Sequence, residues 1–223
     1  MNICIVIPAN NESYTIGYLV ESLSRKGFDV LVIDDGSVDE TGIIAQEKGA
    51  IVLRHDEKQG KGYSLREGFR YAIERGYDAV IMMDGDGQHD VGGIDRFLIE
   101  AEKNKLSVIV GNRMANAKGM PAVRYCTNRF MSRLISLACG QLIMDTQCGY
   151  RYIHCDILKE LDLTSRDFQI ETEILMKACR KGFKVRNVPI KTIYRNEESK
   201  INPFKDTIRF FAYFIKEVCS RKR

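Results

Sequence analysis

Two aspartates with one residue between them form the most chemically informative stretch of the chain. Asp84 and Asp86 follow an apolar run, in the order Met83-Asp84-Gly85-Asp86-Gly87-Gln88-His89. Side chains two residues apart on extended backbone point to the same side, and two carboxylates so close repel each other unless a cation lies between them. Hard oxygen ligands suit Mg²⁺ or Mn²⁺, which keep coordination positions open for substrate phosphates. The pattern predicts a metal site formed by Asp84 and Asp86, to which Gln88 adds a third oxygen.

Other sites built from similar residues fit the sequence less well. Phosphatases of the haloacid dehalogenase type carry such an acidic pair after their first strand and continue to Thr or Val, whereas here it follows the fourth apolar run and continues to Gln88. The dinucleotide-binding GxGxxG pattern is missing after the first strand, and the glycines beside Lys61 lack the rest of a P-loop. A polar turn that caps the next helix is the simplest alternative to a metal site.

The apolar runs of the first half alternate with helical patterns. Continuous apolar strands between helices predict an α/β fold, with a mostly parallel sheet covered by helices on both faces. The polar clusters that follow the strands should then meet at the carboxyl edge of the sheet, where such folds bind ligands. Strands are predicted at residues 3–7, 30–33, 51–53, 79–83 and 108–110, and helices at 15–26, 41–48, 65–75 and 94–103. The less regular second half predicts helices at 124–137 and 170–181, a loop and strand at 145–152, and a strand at 184–188.

The order of these polar clusters resembles that of the family 2 glycosyltransferases of the GT-A fold. The branch that it resembles most is dolichol-phosphate mannosyltransferase and the polyprenyl-phosphate glycosyltransferases. The resemblance implies a GT-A catalytic domain over residues 1–202. It is carried by residues 8–12 (PANNE), 34–37 (DDGS), 60–62 (GKG), 84–89 (DGDGQH), 111–113 (GNR), 145–151 (DTQCGYR) and 195–200.

The same resemblance implies roles for individual residues. Asp35 would contact the base or ribose of the nucleotide, although Asp35 and Ser37 also fit a turn and helix cap. Mg²⁺ or Mn²⁺ would be held by Asp84, Asp86 and Gln88, and Asp86 counts among the catalytic residues. The residues that would bind the nucleotide sugar are Pro8, Asn10, Glu12, Asp35, Lys61, Asp84, Gly85, Arg195 and Lys200.

Arginines after the fifth strand indicate where an acceptor phosphate would bind. Arg113 follows that strand directly, and Arg124 and Asn128 lie four residues apart on one helix face. Guanidinium groups bind phosphate through paired N–H donors. Relatives that transfer to lipid phosphate carry an Arg followed four residues later by Ser or Asn, so the resemblance implies an acceptor site at Arg124 and Asn128 and a catalytic Arg113. Solvated surface arginines are the alternative.

A hydroxyl acceptor would instead require a carboxylate to accept its proton. Asp145 is the first candidate for that catalytic base, with Glu171 and Glu173 behind it. The alternative for Asp145 is a structural loop acid that is hydrogen-bonded to backbone amides.

Composition narrows the remaining choices. The net charge is +4 without a concentrated basic stripe among aromatic residues, so nucleic acid is not an expected partner. The seven scattered cysteines contain no CxxC pair and indicate reduced thiols in a cytoplasmic protein. Residues 203–223 predict an amphipathic helix. This helix either contacts anionic lipid at the inner face of a membrane or packs on the catalytic domain.

The residues and the resemblance together predict a metal-dependent, inverting glycosyltransferase. Its donor would be a UDP- or GDP-sugar, and its acceptor a polyprenyl phosphate. One alternative is transfer to a sugar hydroxyl in polysaccharide or glycolipid synthesis. A second is a nucleotide-binding regulatory module without catalysis.

Overall fold

The computed structural model describes residues 1–104, 106–117, 119–193, 210, 211, 213–215 and 217. The strands in these ranges are β1 (Ile3–Ala9), β2 (Asp29–Asp34), β3 (Ile51–Arg54), β4 (Ala79–Met82), β5 (Ser107–Asn112), β6 (Arg151–His154) and β7 (Lys184–Pro189). The α-helices are α1 (Ser13–Arg25), α2 (Thr41–Glu47), α3 (Lys61–Glu74), α4 (Ile94–Lys103), α5 (Ala122–Cys139), α6 (Cys155–Glu160) and α7 (Ile170–Arg180), with 3-10 turns at Val91–Gly93 and Arg113–Asn116.

The strands form one sheet in the order β3-β2-β1-β4-β6-β5-β7. Every neighbouring pair is parallel except the two pairs made by β6, which runs antiparallel to β4 and to β5. The predicted α/β class with a mostly parallel sheet is confirmed. As a consequence, β1, β2, β3, β4, β5 and β7 all present their carboxyl ends at the same edge.

Burial explains why these segments form strands and helices. Residues 4–7 of β1 and 79–82 of β4 are at most 1% exposed, as expected for strands covered on both faces. Helix α1 turns Ile16, Leu19 and Leu23 inward, and each is at most 1% exposed. Burying one such side chain contributes about 1.5–3 kcal/mol, so the apolar stripe of α1 fixes the helix to the sheet.

Several predicted boundaries were wrong. Strand β1 extends through Pro8 to Ala9 rather than ending at residue 7. Pro8 pairs with Ile33 of β2, whereas β4 pairs with β1 only as far as Val6. Proline is tolerated here because β1 is paired on one side only at this position, so the N–H that Pro8 lacks is not needed. Helix α3 begins at Lys61 rather than 65, and α6 was not predicted. Residues 85 and 86 form a turn. The extended backbone assumed for the acidic pair is therefore incorrect.

The predicted division at residue 203 is not tested by the described residues. Residues 210, 211, 213–215 and 217 are helical, while 203–209 lie outside the described residues, so the boundary stays a prediction. Within the described ranges, no helix combines the length and the apolar character required to cross a bilayer.

Candidate active site

Polar residues from four strands meet at the carboxyl edge of the sheet, as the sequence predicts. Asp35 follows β2, and its backbone N–H donates to the carbonyl oxygen of Ala9 at the end of β1 (2.8 Å). Asp84 follows β4, and Arg113 follows β5. Short loops between strand and helix thus bring together residues that are distant in sequence.

Asp84 lies at the centre of a cluster of charges. Lys61, the first residue of α3, places its Nζ 2.5 Å from Asp84 Oδ1 and 2.6 Å from Glu171 Oε1. Glu171 lies in the first turn of α7. His89 places its Nε2 3.1 Å from Asp84 Oδ2. Both oxygens of Asp84 therefore have partners, and Lys61 bridges two carboxylates.

The cluster shifts the pKa values of its members in opposite directions. Burial raises the pKa of Asp84, but the charge of Lys61 and the hydrogen bond from His89 outweigh it, so that pKa lies well below its ordinary value. Burial and the nearby charge of Asp84 raise the pKa of Asp86. Burial lowers the pKa of Lys61, but the charges of Asp84 and Glu171 outweigh this, so that pKa lies above its ordinary value. A cation beside Asp86 would relieve the repulsion between the two acids.

The carboxylate oxygens of Asp84 and Asp86 are of the type that Mg²⁺ or Mn²⁺ prefers, and Asp84 would have to share its oxygens with Lys61 and His89. The backbone N–H of Gln88 donates to Asp86 Oδ1 (2.9 Å) and holds this carboxylate in its turn. Within the part of the chain that the structure describes, no cluster of three or more His, Cys, Asp or Glu could hold a metal. Ions that accept two carboxylates together with substrate phosphates suit such a site. The third ligand expected from the Gln88 side chain stays a prediction.

Two glycines permit close approach in this cluster. A Cβ at Gly149 would lie 2.5 Å from Asp84 Oδ2 and 2.8 Å from Oδ1, so only glycine leaves this carboxylate in place. A Cβ at Gly85 would lie 3.3 Å from Glu12 Cγ and 3.4 Å from the carbonyl oxygen of Pro8. The structure therefore gathers Pro8, Glu12 and Gly85, three of the predicted nucleotide-binding residues.

Asp35 anchors a second network beside this cluster. Its Oδ1 accepts from the backbone N–H of Gln59 (2.8 Å), and its Oδ2 accepts from that of Gly60 (2.9 Å). His55 Nδ1 lies 2.8 Å from Asp35 Oδ1, and His55 Nε2 lies 2.5 Å from Glu67 Oε2. Because Gly60 precedes Lys61, Asp35 also fixes the loop that delivers Lys61 to Asp84.

The imidazole of His55 lies between two carboxylates. Burial lowers its pKa, but the hydrogen bonds to Asp35 and Glu67 outweigh this, and the pKa is raised above its ordinary value of 6.5. The charged form of His55 therefore stabilises the pair of acids at the end of β2 and on α3.

Asn10 lies next to Asp35, as predicted for a shared nucleoside site. Its Nδ2 donates to the carbonyl oxygen of Asp35 (2.8 Å), and Lys58 Nζ donates to Asn10 Oδ1 (2.9 Å). An amide and an ammonium group thereby lie beside Asp35, and their part in binding a nucleoside stays a prediction.

Arg113 and Asp145 form a buried, bidentate ion pair. Arg113 Nε donates to Asp145 Oδ2 (2.7 Å) and Nη2 donates to Oδ1 (3.0 Å), while the backbone N–H of Arg113 adds a third bond at 3.1 Å. The side chain of Asp145 is 0% exposed and that of Arg113 is 7% exposed. Asp145 therefore orients Arg113, which is a different task from the proton acceptance predicted for it.

The predicted acceptor residues lie on α5. Asn128 is buried, and its Nδ2 is an unpaired donor in the described structure. Arg124 is half-buried one turn before it. One turn after it, Ser132 Oγ accepts from the backbone N–H of Thr146 (3.0 Å). The inner face of α5 thus packs on the loop that holds Asp145.

The other carboxylate of α7, that of Glu173, has different surroundings. Glu173 accepts from the backbone N–H groups of Thr164 (2.9 Å) and Ser165 (2.8 Å) and pairs with Lys177 (2.7 Å). It therefore holds a loop.

Arg195 and Lys200, both predicted to bind the donor, lie outside the described residues.

Sequence reasoning missed several residues of this site. His89 and Gly149 belong to motifs that were recognised, but nothing in their spacing indicated that both contact Asp84. Fully buried Arg151 donates to the carbonyl oxygens of Thr146 (2.8 Å), Cys148 (2.8 Å) and Glu171 (2.5 Å). Arg151 ends the recognised 145–151 motif, but nothing in the sequence indicated that its side chain is fully buried.

Comparisons with known proteins show the family to which the chain belongs. The family described as "Glycosyl transferase family 2" matches residues 4–162. An undecaprenyl-phosphate mannosyltransferase of Micrococcus luteus is 32% identical over 220 residues, covering 91% of this chain and 88% of its own. A UDP-N-acetylglucosamine–dolichyl-phosphate N-acetylglucosaminyltransferase of Methanococcus voltae is 29% identical over 215 residues, covering 86% of each chain. The chain belongs to the family 2 glycosyltransferases and is similar to its members that act on polyprenyl phosphates.

Solved structures confirm the fold. Glucosyl-3-phosphoglycerate synthase of Mycobacterium tuberculosis, crystallised with Mg²⁺ and uridine diphosphate, superposes with a TM-score of 0.73 at 20% identity. The match covers 99% of this chain and 79% of that one. The predicted GT-A fold is therefore correct.

Proposed function

We propose that this chain transfers a sugar from a UDP- or GDP-sugar to a polyprenyl phosphate, with inversion at the anomeric carbon. Mg²⁺ or Mn²⁺ would be held by Asp84 and Asp86; a protein of similar fold was crystallised with Mg²⁺ and uridine diphosphate. Asn10, Glu12 and Asp35 would hold the nucleoside. The reaction would take place at the inner face of a membrane, where its acceptor lies.

The pairing of three carboxylates with cations is the observation that favours a phosphate acceptor. Asp145 is paired with Arg113, Glu171 with Lys61, and Glu173 with Lys177. A hydroxyl acceptor would need one of these acids free to take its proton. A lipid phosphate is already ionised and needs no base. Three carboxylates engaged by cations therefore favour the phosphate.

The displacement follows from the positions of the charges. An oxygen of the acceptor phosphate forms a bond to the anomeric carbon as the bond from that carbon to the diphosphate oxygen breaks. Lys61 would stabilise the charge that develops on the diphosphate. A bound divalent ion would supply further charge stabilisation for that leaving group. Arg195 and Lys200 are proposed to act on the same diphosphate.

The acceptor phosphate would approach from α5. Arg124 and the unpaired Nδ2 of Asn128 supply N–H donors on one face of that helix. Arg113, held by Asp145, adds a fixed guanidinium group. Orientation of the nucleophile by such donors can account for a large part of the rate enhancement of an enzyme.

A transfer assay with matched acceptors tests the proposal. The protein is incubated with labelled UDP- or GDP-hexoses, Mn²⁺ and detergent, and with either a polyprenyl phosphate or the corresponding polyprenol. We expect labelled, acid-labile glycolipid only with the phosphate, and loss of that product in Asp86→Asn but not in Asp95→Asn, an exposed acid on α4. Transfer to the polyprenol or to sugar hydroxyls alone would establish the alternative reaction.

A further inference from the structure

Two cysteines lie side by side where helices α5 and α7 end. Cys139 is the last residue of α5, and Cys179 is the last but one of α7. Cys139 Sγ lies 4.0 Å from the carbonyl oxygen of Leu175, which is one helical turn before Cys179 on the same helix face. The thiol of Cys139 is also hydrogen-bonded to that of Cys179. Although they are distant in sequence, the two sulfur atoms are therefore in contact in the fold.

The side chain of Gln141 holds this pair in place. Its Nε2 donates to Cys179 Sγ (3.4 Å) and to the carbonyl oxygen of Phe183 (2.9 Å). Its Oε1 accepts from the backbone N–H of Val185 in β7 (3.1 Å). Because Gln141 lies just beyond the end of α5, its amide group fixes that end against the turn between α7 and β7. The contact between the two thiols is thus supported by hydrogen bonds on both sides of the helix ends.

Three other cysteines of the described chain are protected from oxidation by burial. Burial raises the pKa values of the Cys4 and Cys148 thiols to about 12 and that of Cys155 to about 11. The thiolate is the nucleophilic form of cysteine, so these three are unreactive near neutral pH. Cys139 and Cys179 are only half-buried, and a small oxidant can reach them.

The thiol of Cys179 has the character of a nucleophile. The hydrogen bond from Cys139 lowers its pKa below the ordinary value of 9.0, and the bond from Gln141 acts in the same direction. Burial opposes both bonds but does not outweigh them. Cysteines that respond to oxidants combine a lowered pKa, access to solvent and a second thiol beside the first. The pair at the ends of α5 and α7 has all three properties.

These observations indicate a site of reversible oxidation away from the carboxyl edge of the sheet. We propose that Cys139 and Cys179 form a redox-sensitive thiol pair, which a peroxide converts into a disulfide that joins α5 to α7. The pair is reduced until a peroxide reaches it, in agreement with the reduced thiols that the sequence indicates. Disulfides that form in reducing compartments are usually transient and redox-sensing.

The reaction balances with one hydrogen peroxide for each pair. The Cys179 thiolate attacks one peroxide oxygen, the O–O bond breaks, and the sulfur becomes a sulfenic acid. The other oxygen leaves as hydroxide and takes up the proton that the thiol had lost. The sulfur of Cys139 then attacks the sulfenic sulfur, the S–O bond breaks, and a second water leaves. Two thiols are thereby oxidised to one disulfide, while the peroxide is reduced to two waters. An added dithiol reverses the reaction by thiol–disulfide exchange.

The disulfide would join the two helices far from the residues proposed for transfer. On α5, Asn128 precedes Cys139 by eleven residues, which is about 16 Å along the helix. On α7, Glu171 precedes Cys179 by eight residues, which is about 12 Å. The inference therefore goes beyond the proposed function and does not rest on it. Its test needs neither nucleotide sugar nor acceptor, so a failed transfer assay leaves the result standing.

Mass spectrometry of the full chain tests the pair directly. The reduced protein is freed of reductant, treated with a small excess of hydrogen peroxide, alkylated, and digested with trypsin without reduction. We expect peptide 134–151 linked to peptide 178–180, and dithiothreitol should separate the two. Fragment spectra should assign the bond to Cys139 and not to Cys148, which lies in the same peptide.

Thermal unfolding provides a second readout of the bond. A disulfide restrains the unfolded chain, so peroxide should raise the Tm of the wild type by about 5–15 °C. Cys139→Ser and Cys179→Ser should each lose both the linked peptides and the rise in Tm. In Cys139→Ser, peroxide should leave a sulfenic acid on Cys179, because the second thiol that would displace its oxygen is missing.

Cys126→Ser is the matched control, because Cys126 is an exposed thiol on the same helix α5. This variant should give the same linked peptides and the same rise in Tm as the wild type. Absence of the link between peptides 134–151 and 178–180 in the oxidised wild type would overturn the proposal. A rise in Tm that persists in Cys139→Ser would do the same. Links to Cys126 as frequent as those to Cys179 would show unselective oxidation and would also overturn it.

Discussion

Replacement of Gly149 by alanine should displace the acid at the centre of the active site. The added methyl carbon would lie 2.5 Å from Asp84 Oδ2, and carbon contacts below 3.0 Å are essentially never observed. The carboxylate must therefore move by at least about 0.5 Å, or the loop must shift instead. Either movement disturbs the contacts of Asp84 with Lys61 and His89.

The size of the effect follows from this displacement. Misplacing a reacting group by about 1 Å costs on the order of 100-fold in rate, so a shift of at least half that distance should lower kcat about 10- to 100-fold in Gly149→Ala. Overpacking a buried site costs about 1–3 kcal/mol of stability, which leaves a folded protein. Steady-state transfer kinetics and urea unfolding measure the two quantities separately.

Gly93→Ala is the matched control for this variant. Its Cβ would lie 3.4 Å from a ring carbon of Tyr150, an ordinary contact, and the backbone there is helical. We expect kcat within about twofold of the wild type for Gly93→Ala, because alanine suits a helical backbone better than glycine. Wild-type kcat in a folded Gly149→Ala would refute the view that Gly149 is required to leave space for Asp84.

Three further outcomes follow from the charges of the site. Lys61→Gln should raise KM for the donor about tenfold or more if Lys61 makes the proposed charge-assisted bond to the diphosphate, and an unchanged KM would contradict that role. Arg113→Ala should lower the free energy of unfolding by about 3–5 kcal/mol in urea titrations, because Asp145 is left buried and uncompensated; a loss below about 1 kcal/mol would contradict this. The pKa of His55 is raised in the folded protein, so its contribution to stability is complete below about pH 6.5 and disappears as the pH rises through the folded pKa. The difference in Tm between wild type and His55→Gln should therefore shrink as the pH rises above about 6.5, and a constant or growing difference would contradict the assignment.

The sequence could predict which residues meet at the carboxyl edge of the sheet, because parallel strands bring their ends together whatever the details of packing. Apolar runs and the polar residues after them are local signals, and parallel strands bring their carboxyl ends to one edge. Asp35, Asp84 and Arg113 were found in this way. The antiparallel direction of β6 was not predicted, since a short apolar run looks the same in either direction.

Contacts between distant segments were the part that sequence could not supply. Asp145 was predicted as a base from its position in a motif, but its task depends on Arg113, which lies 32 residues away. His55 and Glu67 form one network only because β3 and α3 pack beside the end of β2. Pairings of this kind arise from tertiary geometry and leave no periodic trace in the chain.

Binding of Mn²⁺ in the presence of a nucleoside diphosphate tests the central claim most directly. Electron paramagnetic resonance of free Mn²⁺ is followed as the protein is titrated with UDP or GDP present, for the wild type, Asp84→Asn, Asp86→Asn and the control Asp95→Asn. We expect tight binding of one ion by the wild type and the control, weakened at least about 10- to 100-fold in the other two variants. Equal affinity in all four proteins would contradict a metal–diphosphate site at Asp84 and Asp86.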